Sequence, residues 1–309
     1  MSDLVIVFAG SPAAAVPSLE ALAASRHDVA AVLTREDSPQ GRRRELTPTA
    51  VAASATELGL PIIRANRLAG AATEAVTALR PDLGVIVAYG GLVREPLLTV
   101  PRLGWINLHF SLLPRWRGAA PVQRAIIAGD EVSGASVFQL VAELDAGDVY
   151  GQFTQAIGAN ETAGHLLESL SVGGAELLVR VVNSLADGVA RAEPQVGDVT
   201  LAPKLDLPDA RLDFGQHAST VLDRVRGVTP EPGAFTVVDE MRIKILEAVI
   251  ARDELRLATG QLELRDGRVV VGTASDPIEL VSVQPAGKKA MRAADWWRGR
   301  PSDAGTLAR

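Results

Sequence analysis

The chain is expected to be an α/β protein: a mostly parallel open sheet with helices on both faces, followed by a small antiparallel β-barrel. Three observations carry that expectation. The first half alternates short, continuous apolar runs with stretches of helical spacing, as in a parallel sheet covered on both sides. Beyond residue 207 the pattern changes to short strands of alternating polarity with turn residues between them. Between the two, "ADGVARAEPQVGDVTLAPKLDLPD" (186–209) is rich in Pro, Gly and Asp and holds no sustained period. The expected organisation is therefore a domain over 1–189, a linker over 190–207 and a second domain over 208–309.

Each element has its own justification. "LVIVFAG" (4–10) is an apolar run ending in glycine, suited to a strand buried on both faces. "VPSLEALAAS" follows with helical spacing at Val16, Leu19 and Leu22. "DVAAVLT" predicts a second strand, "TPTAVAASATELG" a helix with Pro48 near its start, and "LGVIVAYG" another buried strand. "REDSPQGRRRELTP" is polar and predicts a flexible loop; its arginines read either as a solvated charge run or as a contact. A helix is expected near 120–128, strands at "GASVFQLVAEL" and "DVYGQFTQAI", and a long helix over 163–183. In the second domain a short helix, "HASTVLDRVRG", precedes "AFTVVD", "MRIKILEAVIA", "GQLELRDGRVVVGT" and "PIELVSVQ", with Asp-Gly as a hairpin signal. Four or five such strands point to a barrel of the OB type, which often binds nucleic acid.

Composition narrows the chemistry. The chain has no cysteine, which removes thiolate nucleophiles, disulfides and Cys-based metal sites. That absence is compatible with a reducing compartment, and a cytoplasmic location is expected. The opening "MSDLVIVFAGSPAAA" predicts a strand and a turn, not a signal peptide, and no apolar stretch is long enough to span a membrane. The net charge is −6, and basic and acidic residues balance from Leu207 onward, so the excess is in the first part. An acidic chain with local basic patches does not read as a general DNA binder, yet it can hold one particular polyanion.

The chemistry gathers in "GWINLHFSLLPRWRGAAP" (104–121). Residues two apart on a strand share a face, so Trp105, Asn107 and His109 point one way and Ile106, Leu108 and Phe110 the other. The strand must end by Pro114, which puts Asn107 and His109 near its carboxyl end, where open α/β sheets bind ligands. A lone buried histidine is usually structural; an Asn on the same face argues for a site. "VAELDAGDV" then sets Asp145 just after an apolar strand, in a turn expected at the same sheet edge. Together the three side chains can perform acyl transfer with no covalent enzyme intermediate. The Asn amide and an imidazolium can stabilise an oxyanion, His can act as base or acid, and Asp would orient the ring and favour its protonated form.

Here the sequence resembles a family. "VAYGGLV", "INLHFSLLPRWRGAAPVQRAI", "ELDAGDV" and "QPAGKKAM" are similar to the methionyl-tRNA formyltransferases, nearly end to end. The Asn-x-His…Ser-Leu-Leu-Pro block with the later Asp is shared across 10-formyltetrahydrofolate transferases. The resemblance implies a Rossmann-like formyltransferase domain and a C-terminal OB-like barrel that binds tRNA. It implies transfer of a formyl group from 10-formyltetrahydrofolate to the α-amine of initiator methionyl-tRNA, by a monomer that needs no metal. It places the catalytic triad on Asn107, His109 and Asp145. Folate contacts would fall on Ser111, Leu112, Leu113 and Pro114, with the pterin pocket bordered by Val87, Ala88, Tyr89, Gly90 and Leu92. The tRNA contacts would be Arg42, Arg43 and Arg44 on a mobile loop, Lys204 in the linker, and Lys288 and Lys289 in the second domain. Trp116 and Arg117 stay open between acceptor-stem contacts and loop anchors.

The chain departs from the family pattern in three places. Phe110 stands where Gly is usual, "GRRREL" replaces a more Gly- and Lys-rich loop, and "GVTPEPG" replaces a Trp-containing turn. Competing readings are another 10-formyltetrahydrofolate-dependent transferase or hydrolase, a dinucleotide-dependent oxidoreductase and a non-catalytic RNA-binding module. "GSPAAA" lacks the G-x-G-x-x-G fingerprint, which weighs against the oxidoreductase. An RNA-binding module leaves Asn107, His109 and Asp145 unexplained. His27, His165 and His217 have no motif partners and are expected at the surface.

Overall fold

The apolar runs become the centre of a seven-stranded sheet in the computed structural model, which describes residues 3–40, 44–251, 256–301 and 307–308. In chain order its first part holds β1 (Val5–Gly10), α1 (Val16–Ala23), β2 (Asp28–Thr34), β3 (Ser38–Gln40), β4 (Glu45–Thr47), α2 (Ala50–Glu57), β5 (Ile62–Arg64), α3 (Ala71–Ala78), β6 (Leu83–Val87) and β7 (Trp105–His109). There follow α4 (Pro121–Ile127), β8 (Val132–Gln139), β9 (Val149–Ala156) and α5 (Ala163–Ala186). The sheet order is β5-β2-β1-β6-β7-β8-β9. Strands β5 to β7 are parallel, while β8 and β9 run antiparallel at one edge. The order reverses at β1, where the chain leaves β2 on one side and returns as β6 on the other; such a switch point opens a crevice at the carboxyl ends of the strands.

Packing on the two faces explains the local sequence. On one face Trp105 is fully buried with Val7, Ala9, Leu33, Ile86 and Tyr89. A Cβ at position 84 would lie 2.1 Å from the Trp105 ring, so Gly84 is what lets the indole cross β6. On the other face α5 approaches through Gly173 and Gly174, whose added Cβ atoms would meet Phe153 and Leu108 at 2.9 Å. Thr49 caps α2 by accepting from the Ala52 amide at 3.0 Å.

Two parts of the first half differ from expectation. The segment read as a flexible loop contains the ribbon β3–β4, paired antiparallel from Ser38↔Thr47 to Gln40↔Glu45. Strand β5 and helix α3 were not expected: three residues at an edge are too few to show alternation, and α3 buries only Val76. His27, expected at the surface, is buried; its Nδ1 accepts from the Leu4 amide and its Nε2 faces Asn183.

The chain divides into two compact units. One holds residues 1–121, 132–156 and 167–202; the other holds 122–131, 157–166 and 203–309. The second contains α6 (Ala218–Gly227), β10 (Phe235–Val238), β11 (Met241–Ile250), β12 (Leu262–Arg265), β13 (Arg268–Val271), β14 (Ile278–Pro285), β15 (Met291–Arg292) and α7 (Ala293–Arg298). Its antiparallel sheet runs β10-β11-β14-β13-β12, with β15 paired to β14. Strands β12, β13 and β14 form a meander whose last strand returns beside β11, a Greek-key arrangement. Register shifts on either side of Glu247 bend β11. Among the described residues no helix is long and apolar enough to cross a membrane.

Candidate active site

Strand β7 delivers the site. Its register pairs Asn107 with Phe138 and His109 with Ser136 on β8, so these four side chains share the face that Trp105 begins. Asn107 is half-buried, and its amide makes no hydrogen bond among the described residues. An unengaged amide at that depth is able to donate to a ligand oxygen.

His109 is 6% exposed, and its ring meets Phe138 edge-on with centroids 6.4 Å apart. Nε2–H donates to the Trp116 carbonyl at 2.8 Å; since a carbonyl only accepts, this bond sets the tautomer. Nδ1 therefore carries the lone pair and faces the Asp145 carboxylate at 3.8 Å. Burial pushes the imidazole below its ordinary pKa range, against the upward pull of Asp145 and the Trp116 carbonyl. Asp145 thus favours the protonated ring while burial opposes it, and a proton held on Nε2 leaves the Nδ1 lone pair able to act as a base. Once protonated, the ring would find an acceptor at each nitrogen.

Asp145 reaches this position by an unexpected route. Strand β8 is antiparallel to β7, so its end, Gln139, pairs with Ile106 at the start of β7, the opposite edge from His109. Residues 140–148 must fold back along roughly 10 Å of strand, at about 3.3 Å per residue, to bring the carboxylate to the imidazole. The carboxylate is then held by the Gly118 amide at 2.8 Å. Both residues that flank His109 have left-handed backbones, Asp145 at φ 46° and Trp116 at φ 62°. Such conformations cost about 1–3 kcal/mol each and persist only where the surroundings enforce them.

The loop after β7 is anchored from beneath. The Ser136 hydroxyl donates to the Ser111 carbonyl at 2.6 Å and accepts from the Leu113 amide at 3.1 Å. Gln152 donates to the Ser136 hydroxyl at 2.8 Å and to the Leu113 carbonyl at 3.0 Å. Neither residue was expected at the site, though a serine inside an otherwise apolar strand was a signal. Ser136→Ala leaves a buried amide and a carbonyl without this partner, so unfolding free energy is expected to fall by about 1–3 kcal/mol. Urea melts check this; an unchanged midpoint would remove Ser136 from the scaffold.

The expected folate contacts are distributed unequally. Leu112 is half-buried, whereas Ser111, Leu113 and Pro114 are buried, and the Ser111 hydroxyl is turned to the Arg115 carbonyl at 2.6 Å. Val87 is wholly buried, and Tyr89 is packed in the core with its hydroxyl donating to the Ala65 carbonyl. Ala88, at φ 48°, and Gly90, at φ 78°, are exposed, as is Leu92. The Gly90 carbonyl accepts from Arg35 at 2.9 Å. The side chains of Val87, Ser111 and Tyr89 are thus turned inward, with both hydroxyls already bonded to backbone carbonyls.

Of the basic residues, Arg42 and Arg43 lie outside the described residues. Arg44, Lys204, Lys288 and Lys289 are exposed, the last two in the turn between β14 and β15. Arg117 is a loop anchor: its guanidinium is bound to Gln195 at 3.1 and 2.8 Å and to Glu143 at 3.3 Å.

Comparison with known proteins fits this geometry. Residues 3–182 match the formyl transferase family and residues 204–301 its C-terminal domain. The chain is 59% identical over 294 residues to the methionyl-tRNA formyltransferase of Clavibacter sepedonicus, covering 95% of this chain and 96% of that one. Among solved structures it resembles the N-formyltransferase of Helicobacter canadensis bound to folinic acid and dTDP-3-aminofucose, at TM-score 0.69 and 16% identity over 89% of this chain and 98% of that one. It also resembles HypX of Aquifex aeolicus in complex with tetrahydrofolic acid, at TM-score 0.64 and 19% identity over 96% of this chain, and spans 47% of HypX. At such identities the two structural likenesses concern the fold. The chain belongs to the formyl transferase family.

Proposed function

We propose that the chain transfers the formyl group of 10-formyltetrahydrofolate to the α-amine of initiator methionyl-tRNA, giving N-formylmethionyl-tRNA for translation initiation in the cytoplasm. The observation that carries this reading is a buried imidazole facing a carboxylate at 3.8 Å, on the same strand face as an unengaged Asn amide. The kinship with methionyl-tRNA formyltransferases over nearly the whole chain selects the acceptor.

The residues then divide the work. As the amine nitrogen bonds to the formyl carbon, the Asn107 amide donates to the carbonyl oxygen that takes up the charge. His109 Nδ1 accepts the proton lost by the amine, and Asp145 and the Trp116 carbonyl hold the resulting imidazolium. When the bond from the formyl carbon to N10 breaks, His109 can return that proton to N10. Nothing in this sequence requires an enzyme nucleophile or a metal. The folate would lie along Leu112–Pro114 and the exposed Ala88, Gly90 and Leu92, at the crevice beside the switch point.

In this reading residues 1–189 perform the chemistry and residues 208–309 hold the tRNA. Arg44, Lys204, Lys288 and Lys289 are the phosphate contacts, giving affinity that falls with salt. The test is incubation with 10-formyltetrahydrofolate and methionine-charged initiator tRNA. N-formylmethionine formed only with charged tRNA supports the reading; formate released at the same rate without tRNA would make the chain a hydrolase.

A further inference from the structure

The segment expected as a linker carries one side chain that spans both loops of the catalytic pair. Gln195 Nε2 donates to the Asp145 carbonyl at 2.8 Å and to the Gly147 carbonyl at 2.9 Å. Its Oε1 accepts from Arg117 Nε at 3.1 Å and Nη2 at 2.8 Å. A primary amide has two donors and two lone pairs, so these four bonds use its whole capacity. Arg117 is further fixed by the same segment: its amide donates to the Thr200 carbonyl at 2.9 Å, and its carbonyl accepts from the Ala202 amide at 2.7 Å.

The two ends of this clasp are the two groups that face His109. Asp145 presents its carboxylate to Nδ1, and Trp116, which precedes Arg117, presents its carbonyl to Nε2–H. Both residues have left-handed backbones without being glycine, so each would relax unless held. Ordinary surface anchoring does not account for a glutamine that satisfies all four of its bonding positions between these loops.

Resting on the formyl-transfer reading, we infer that Gln195 is a positioning residue for that reaction: through Asp145 and Arg117 it sets the two acceptors between which His109 takes up and returns a proton. It acts on the carboxylate's position and not on the substrates themselves.

The experiment compares Gln195→Glu and Gln195→Met, alone and combined with Asp145→Asn. Gln195→Glu is isosteric and keeps the Arg117 pairing, but it loses both donors and sets a carboxylate against two carbonyls. Both variants are expected to lower kcat by about 10²-fold, the scale of a misplaced catalytic geometry, with KM for charged tRNA and for 10-formyltetrahydrofolate unchanged. In the Asp145→Asn background Gln195→Glu should lower kcat by no more than about twofold, because it keeps the Arg117 pairing and its route through the carboxylate is already gone. The imidazole titration of His109, followed by NMR in the unliganded protein, should shift in Gln195→Glu but not between Asp145→Asn and the double variant. A kcat kept in both variants, or a loss of the same size in both backgrounds, would overturn the inference. If the parent chain fails to formylate charged tRNA, the formyl-transfer reading falls, while the His109 titration still decides whether Gln195 sets the geometry of the pair.

Discussion

His109→Ala is expected to lower kcat for formyl transfer by about 10²–10⁴-fold, the usual worth of a positioned general base. The amine loses the imidazole that faces the Asp145 carboxylate, and the proton it sheds must leave to water. The fold should survive. The ring is buried, but among the described residues its polar partners are the Trp116 carbonyl and, across 3.8 Å, the Asp145 carboxylate, at the end of a strand. A circular dichroism spectrum like the parent's, with turnover gone, is the expected pair of results; turnover within about tenfold of the parent would exclude a base role. The pH profile gives an independent check. Because burial holds the imidazole below its ordinary range, it stays neutral, and active as a base, to lower pH than a free histidine. The acid limb of kcat/KM should therefore lie below about pH 6.5. The same shift has a stability consequence of fixed sign. Protons bind the unfolded chain more readily than the native ring, so native stability declines as pH falls below about 6.5 and through the lower native value. His109→Ala should weaken that acid sensitivity.

Much of this architecture was legible from local pattern, because buried parallel strands need unbroken apolar runs. "VIVFAG" and "LGVIV" could hardly have been anything else, and the two-residue period of a strand put Asn107 and His109 of "WINLH" on one face. What escaped depended on partners distant in the chain. The position of Asp145 required knowing that β8 runs antiparallel, so that its following loop doubles back over the face instead of ending at the shared edge. The downward pull on the His109 pKa comes from burial, with Phe138 edge-on to the ring, which spacing along the chain does not report. Residues 190–207 lacked a period because they are neither helix nor sheet, yet they form isolated bridges at Glu193 and Leu201 and supply Gln195. Pro- and Gly-rich composition signals irregular backbone; it says nothing about whether that backbone is held.

The Asn107→Ala substitution offers the cleanest separation of chemistry from folding. If Asn107 is the donor to the developing oxyanion, kcat should fall by about 10²–10³-fold, the common loss when one such donor is removed. Stability should hardly change. The amide has no hydrogen-bond partner among the described residues and the side chain is half-buried, so truncation orphans no buried group. Surface-type substitutions of that kind usually move stability by no more than about 0.5 kcal/mol. Asn107→Asp sharpens the test, since it keeps the shape but sets an acceptor where a donor is required; its kcat should be no higher than that of the alanine variant. A fall in kcat with an unchanged urea midpoint is the expected signature. Were activity and midpoint to fall together, Asn107 would be part of the scaffold. The Nε2–H of the imidazole beside it does not replace the missing donor, because it is already given to the Trp116 carbonyl. The oxyanion would then have to be stabilised by a group outside the strand face that carries this site.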